Sequence, residues 1–395
     1  MKSYKLGEIA SFFQGKQVDL ENQFLNKDEN HNVRFVRIAD YTNSDEPIRY
    51  IENLGEKYYA REGDLVMIRY GSQTAGKVVM GKSGIIANNM FKINLDNTVA
   101  NNEFMYYYLS QPHIFDYLRR AQSSSTMPAI NFGMLNNFEV IIPNIDIQEK
   151  IVSILKKLDD RIKINTQIND NLYEITNKLY EQLFFIERKD DWKEYNLQEL
   201  MDISNGYSYT GKELVDTSVV GMATIKNFER TGGFKEEGFK DIEPIKAKDV
   251  HYADKFDILV ACTDLTQNAD IIGNAIMLLN SSRYEKVVIS MDLVKILPKK
   301  NKYLVFSILN SKEFKNFALG YKTGTTVLHL NKNCFKDFNI RLPDLDKVEN
   351  FEKMVETNYK KISYNLEEND MLIQLRDTLL PKLMNGEIDL DKIEI

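Results

Sequence analysis

At 395 residues the chain is too long for one ordinary domain and suits two or three. Hydrophobic residues make up 43% and charged residues 28%, the balance of a soluble globular protein, and nowhere do eighteen apolar residues run together as a membrane span needs. The net charge of −7 is unevenly placed: residues 1–145 and 146–184 carry −1 each, 185–345 are neutral, 346–384 carry −2 and 385–395 carry −3. Two near-neutral segments therefore keep room for local basic faces.

In chain order, an entry phrase Lys2-Ser3-Tyr4-Lys5-Leu6-Gly7-Glu8 precedes strand-like runs at 65–70, 77–80 and 90–93. A helix rich in Tyr, Phe and Leu is predicted from Glu103 to Arg120. Then come a polar loop, a strand ending at Pro143, and a long helix over 146–184. The same plan then repeats. The phrase returns as Lys193-Glu194-Tyr195-Asn196-Leu197-Gln198-Glu199, 191 residues on, and Gly15 returns as Gly206. Strands are expected at 257–261, 275–279 and 293–297, a helix from Tyr303 to Ala318, a strand ending at Pro343, a long helix over 346–384 and a tail, 385–395. Near the end of each copy the offset is 200: Phe138–Asp146 returns as Phe338–Asp346, and Thr126 and Asn131 as Thr326 and Asn331. The growth from 191 to 200 places insertions inside the second copy. A period near 200 is a duplicated module and not a solenoid.

The long helices carry the clearest period. Ile151, Leu155, Leu158, Ile162, Asn165, Asn169, Leu172, Thr176, Leu179 and Leu183 step by fours and threes, a heptad seam. Two hundred residues on stand Phe351, Val355, Asn358, Ile362, Asn365, Asn369, Leu372, Arg376, Leu379 and Leu383. About 39 residues of helix, roughly 58 Å, is long for one small core to cover, so the two helices are expected to bury their seams against each other. Recurring asparagines at equivalent seam positions suit a register lock. Pro381 should kink or loosen the second helix near its end.

Catalytic patterns are scarce. Gly71-Ser72-Gln73-Thr74-Ala75-Gly76-Lys77-Val78 has the outline of a phosphate-binding loop, but Val78 replaces the magnesium-holding hydroxyl and the chain continues as strand. A polar turn beside a base or phosphate, or an ordinary hairpin turn, fits better. The four histidines lack the spacing of a metal site or triad, and no Gly-rich cofactor loop or amino-methyltransferase loop is found. Cys262 and Cys334 are too few for a closed zinc site and suit a reducing cytoplasm, and Met1–Phe13, with Lys2, Lys5 and Glu8, does not read as a secretory signal. Two hydroxyl-rich segments stand at equivalent places: Gln122–Pro128 after Arg119 and Arg120, and Lys322–Thr326 after Tyr321. Hydroxyls, amides and nearby cations suit phosphate contacts and base edges, and a solvated surface loop is the alternative.

The order of parts resembles the specificity subunit of type I restriction-modification enzymes. The likeness rests on the two entry phrases, on Ile142–Ile162 with its Gln148-Glu149 pair opening the helix, and on the run Leu375–Ile388. The second helix has Val348-Glu349 where that pair is usual. The resemblance implies an α+β chain: two pseudo-symmetric α/β target recognition domains, 1–145 and 185–345, joined by two long antiparallel coiled-coil helices. It implies that the domains read two halves of a split double-stranded DNA site, while the helices set their spacing and dock two methyltransferase subunits, to which restriction subunits join. S-adenosylmethionine, ATP and Mg²⁺ would be used by those partners, with no cofactor, metal or catalytic residue here, no membrane, and a cytoplasmic location. DNA contacts are then expected from Arg69, Tyr70, Ser72, Gln73, Thr74, Lys77, Arg119, Arg120, Ser123, Ser124, Ser125 and Thr126 in the first copy. In the second they are expected from Thr263, Thr266, Gln267, Asn268, Lys322, Thr323, Thr325 and Thr326. A fused enzyme with degenerate motifs and a coiled-coil adaptor without DNA contact are the competing classes.

Overall fold

The structure, a computed structural model, describes residues 1–43, 46–71, 73–120, 129–230, 233–264 and 269–390, with Lys347 as backbone alone. The chain divides into two compact units, Met1–Asp160 with Leu372–Ile395, and Arg161–Met371.

In the first unit the entry strand Lys2–Lys5 pairs antiparallel with Glu139–Ile142, Lys2 opposite Ile142, tying the start of the copy to its last strand. Between them lie two four-stranded sheets. One orders Ala10–Gln14, Met90–Leu95, Leu65–Ile68 and Val78–Met80, all antiparallel. The other orders Arg49–Ile51, Val33–Val36, Gly84–Ile86 and Tyr59–Ala60, with a parallel pair at its centre. Leu65–Ile68 is apolar throughout because it is covered on both faces. Successive side chains of a strand point oppositely, so Leu65 and Met67 enter the core under the helices while Val66 and Ile68 enter the core of the other sheet.

The second unit repeats this order strand for strand. Lys193–Asn196 pairs with Asn339–Leu342. The sheets are Met201–Asn205, Leu293–Pro298, Ile258–Ala261, Ala275–Met277 and Lys240–Asp241, Val220–Ala223, Lys286–Ile289, Tyr252–Ala253. Ile258 and Val260 face one core, Leu259 and Ala261 the other.

The two shorter helices, expected from Glu103 to Arg120 and from Tyr303 to Ala318, are each two. Asn102–Leu109 stops before Pro112–Arg120, since Pro112 has no N–H for a continuing helix. Lys302–Asn310 is followed by Lys312–Leu319, whose N-cap Ser311 accepts from the Phe314 amide at 3.1 Å.

The long helices are Ile145–Tyr180, continuing as a π-helical turn Glu181–Ile186, and Glu349–Met384. Pro381 does not end the second: the Asn385 amide still donates to the Pro381 carbonyl at 2.9 Å, and Gly386, with φ of 70°, follows.

Within the second unit the helices run antiparallel along the expected seam. Asn165 Nδ2 donates to Asn369 Oδ1 at 2.9 Å, Asn365 Nδ2 to Asn169 Oδ1 at 2.7 Å, and Asn358 Nδ2 to Thr176 Oγ1 at 3.1 Å. Arg161 grips Glu368 with its Nε and Nη2, and Ile362 is fully buried, while Leu172, Leu179 and Leu183 pack half-buried at the same core. Within the first unit Ile151, Leu155 and Leu383 are buried in one core, with Leu379 partly buried against it. There Asp159 accepts from Tyr107 Oη at 2.6 Å and Arg376 Nη1 at 2.8 Å. Leu158, Ile162 and Leu372 are half-buried.

Candidate nucleic-acid interface

In the first unit, Leu65–Ile68 leaves its sheet through Arg69 and Tyr70 into the turn 71–77. Tyr70 forms an antiparallel bridge with Ala129, and the Ile130 amide donates to the Arg69 carbonyl at 3.0 Å. The stretch just after the serine-rich segment therefore lies against the start of the turn. Arg69 is committed inward: its Nε donates to the Ile130 carbonyl at 3.3 Å, its Nη1 to Gln14 Oε1, and its guanidinium lies 5.1 Å from the ring centres of Tyr70 and of Phe132. Thr74 is half-buried, its hydroxyl donating to the Tyr70 carbonyl at 3.2 Å. Gln73, Lys77, Arg119 and Arg120 are exposed. Ser72 and Ser123, Ser124, Ser125 and Thr126 lie outside the described residues.

The second unit builds the same junction as a sheet. Thr263–Asp264 pairs antiparallel with Leu328–Leu330, which pairs with Lys322–Thr323. The Leu330 amide donates to the Cys262 carbonyl at 2.9 Å, the counterpart of Ile130 and Arg69. Gly76 and Gly273, at φ of 93° and 77°, sit against Leu118 and Ala318, again counterparts at an offset of 200 between the latter. In both copies the described residues that border the two proposed segments thus meet, Tyr70 with Ala129 and Thr263–Asp264 with Leu328–Leu330.

Two expectations need correction here. Thr263 is only 7% exposed, because its strand is covered, and it presents no hydroxyl to a ligand. Lys322–Thr326 is not simply a loop: Lys322 and Thr323 are strand, and the chain turns at Gly324, whose φ is 99° and where a Cβ would stand 2.2 Å from the Val327 carbonyl oxygen. Lys322, Thr323, Thr325 and Thr326 are all exposed, and so is His329. Thr266, Gln267 and Asn268 lie outside the described residues.

The phosphate-loop outline dissolves in three dimensions. Met67 and Val78 are opposite each other in antiparallel strands, so 71–77 is a hairpin turn and no helix N-terminus follows it to meet a phosphate. Burial pushes both thiols, Cys262 and Cys334, up to about 12, which leaves them unreactive. Among the described residues no group of three or more His, Cys, Asp and Glu could hold a metal, and no helix is long and apolar enough to cross a membrane.

Gln148, the residue that carries the family resemblance at the helix start, faces inward. It is fully buried, donating to the Val99 and Pro143 carbonyls at 2.8 Å each and accepting from the Asn101 amide at 2.9 Å. In the second copy a different residue does this work: Glu352 accepts from the Tyr303 and Leu304 amides, and buried Val348 takes the Gln148 place. The outward faces of the long helices in the second unit carry exposed Ile164, Ile175, Met354, Tyr364 and Met371.

Comparison with known proteins accords with the duplication. Residues 1–174 and 189–372 match the family model of the type I restriction modification DNA specificity domain. The chain is 24% identical over 375 residues to the type I restriction enzyme HindI specificity subunit of Haemophilus influenzae, covering 77% of this chain and 81% of that one. It is 21% identical over 364 residues to the MjaVIII specificity subunit of Methanocaldococcus jannaschii, covering 86% and 82%. In fold it is similar to the crystal structure of the type I restriction-modification S subunit from M. genitalium, with a TM-score of 0.58, 16% identity, and 97% and 95% of the two chains covered. With both of its copies matched, this chain belongs to the type I restriction-modification DNA specificity family, as a specificity subunit made of two such domains in tandem.

Proposed function

We propose that this chain reads a bipartite, asymmetric double-stranded DNA target, one half-site with each globular domain, 1–145 and 185–345. The observation that carries the reading is the repeated junction, beside which exposed polar and cationic side chains stand in both copies: Gln73, Lys77, Arg119 and Arg120 in one, Lys322, Thr323, Thr325 and Thr326 in the other. Two different side-chain sets on one scaffold give two different half-sites. The helices 146–184 and 346–384 serve as the spacer and as the dock for two methyltransferase subunits, to which restriction subunits join. The exposed apolar side chains of their outward faces support a protein partner there.

The chain is non-catalytic in this reading. S-adenosylmethionine, ATP and Mg²⁺ belong to the partner subunits, and the complex works in the cytoplasm on duplex DNA. The inert thiols and the hairpin at 71–77 support a chain without its own chemistry. The test is a mobility shift and methylation assay with and without the cognate methyltransferase subunit. The isolated chain should transfer no methyl groups, and the complex should modify one split sequence. Methyl transfer by the chain alone, or a complex without sequence preference, contradicts the proposal.

A further inference from the structure

The second copy differs from the first in what it places at the shared junction: a short antiparallel ribbon, Lys322–Thr323 against Leu328–Leu330, closed by the Gly324 turn and flanked on its inner side by Thr263–Asp264, where Thr263 is opposite His329. Along Leu328–Leu330 burial alternates strictly. Leu328 and Leu330 enter the core and His329 is exposed on the other face. Thr323 is directly opposite His329, so both side chains leave the same face of the ribbon with Cβ atoms about 5 Å apart. Thr323 holds the pair together, its hydroxyl donating to the His329 carbonyl at 3.3 Å. The imidazole itself makes no hydrogen bond among the described residues. Lys322, one position earlier, points to the opposite side by the period of two and remains exposed at the ribbon edge.

A two-stranded ribbon fits the major groove of B-form DNA, about 12 Å wide. With Leu328 and Leu330 anchored in the core, the turn at 324–327 and the His329–Thr323 face are what the described residues of this ribbon offer to such a groove. We infer that His329, seconded by Thr323, reads a guanine in the half-site of the second domain, and that Lys322 contacts phosphate. Guanine is favoured because its major-groove edge offers two acceptors, N7 and O6, and an imidazole N–H is a donor held on a rigid strand. This rests on the DNA-reading function proposed above and assigns it one base and one residue.

The experiment compares wild-type, His329→Ala, His329→Gln and Lys322→Ala chains in the complete complex, by methylome mapping and by binding at several salt concentrations. His329→Ala should leave the first half-site intact and make one guanine position of the second degenerate, with about tenfold or more loss of affinity for the original site. His329→Gln should shift that position toward adenine, whose edge pairs with a carboxamide. Lys322→Ala should weaken all sequences alike and lower the salt slope by about one. An unchanged motif and affinity in both His329 variants overturns the inference while leaving the bipartite reading standing. A wild-type complex with no sequence preference overturns both. Because His329 is exposed, a matching unfolding midpoint for the variants separates lost reading from lost folding.

Discussion

Glu236 and Asp370 share one buried amide: Asn280 Nδ2 donates to Glu236 Oε2 at 3.1 Å and to Asp370 Oδ2 at 2.6 Å. The arrangement ties the second globular domain to the C-terminal helix through two like charges, with Ser282 also donating to Asp370. Burial, and then the neighbouring Asp370 charge, push the Glu236 carboxyl up to about 7. Unfolding returns it to an ordinary carboxyl, so between about pH 4.5 and about 7 the folded chain holds the extra proton. The pair therefore costs stability progressively as pH rises through that window and costs most above it. Asp370→Asn should flatten the decline and stabilise the chain at about pH 8, as read from unfolding midpoints at several pH values. Parallel curves for the variant and wild type would mean that the Asp370 charge does not raise the Glu236 carboxyl. At this scale the sequence says little in advance. Nothing near Glu236 marks Asp370, 134 positions away, as its neighbour, and Gln148 looks like a family signature until its three hydrogen bonds show an inward task.

The long helices are the most legible elements, because a heptad is a local pattern and its partner is another copy of the same pattern. Ile151, Leu155, Asn165, Asn169, Ile362, Asn365, Asn369 and Leu383 are all buried as their spacing predicts. The break at Pro112 is also written in the residues, though the helical period runs across it. By contrast the ribbon at 322–330 depends on pairing with Thr263–Asp264, a contact between distant segments that no local period announces. Within the helix pair, Asn165 Oδ1 and Asn365 Oδ1 are buried without a hydrogen-bond partner among the described residues, so the polar set is incompletely satisfied. Replacing the pair Asn165 and Asn369 by leucine should raise stability, since a polar seam residue fixes register at a cost, with the about 1–4 kcal/mol seen for buried ion pairs exchanged for packed apolar residues as the upper range. The same change should loosen register. Spin labels at positions 164 and 371, both exposed, would report a broadened distance distribution in the variant. A lower unfolding midpoint, with the distances unchanged, would show that the amides contribute stability and no register.

For the whole molecule the proposed spacer makes a geometric prediction. Leu172 and Ile362 are level with each other between the Asn169–Asn365 and Thr176–Asn358 hydrogen bonds. Inserting four residues after each adds about 6 Å of helix, close to two base-pair steps, and turns the remainder of each helix by only about 40°. Methylation mapping should then find both half-sites unchanged and the gap between them longer by one or two base pairs. Altered half-site bases with an unchanged gap would mean that these helices are not the ruler. The asparagine pairs also speak to ancestry. Asn165 binds Asn369 and Asn169 binds Asn365, and the 200-residue repeat exchanges one pair for the other. A single-copy forebear would have made those same bonds with a second molecule of itself. The flanks have since diverged: Asp159 and Arg376 bind each other, but their counterparts are Tyr359 and Thr176. The centre of the seam is thus symmetric under the repeat, as the contact between two identical molecules would be, and the Asp159–Arg376 pair is not.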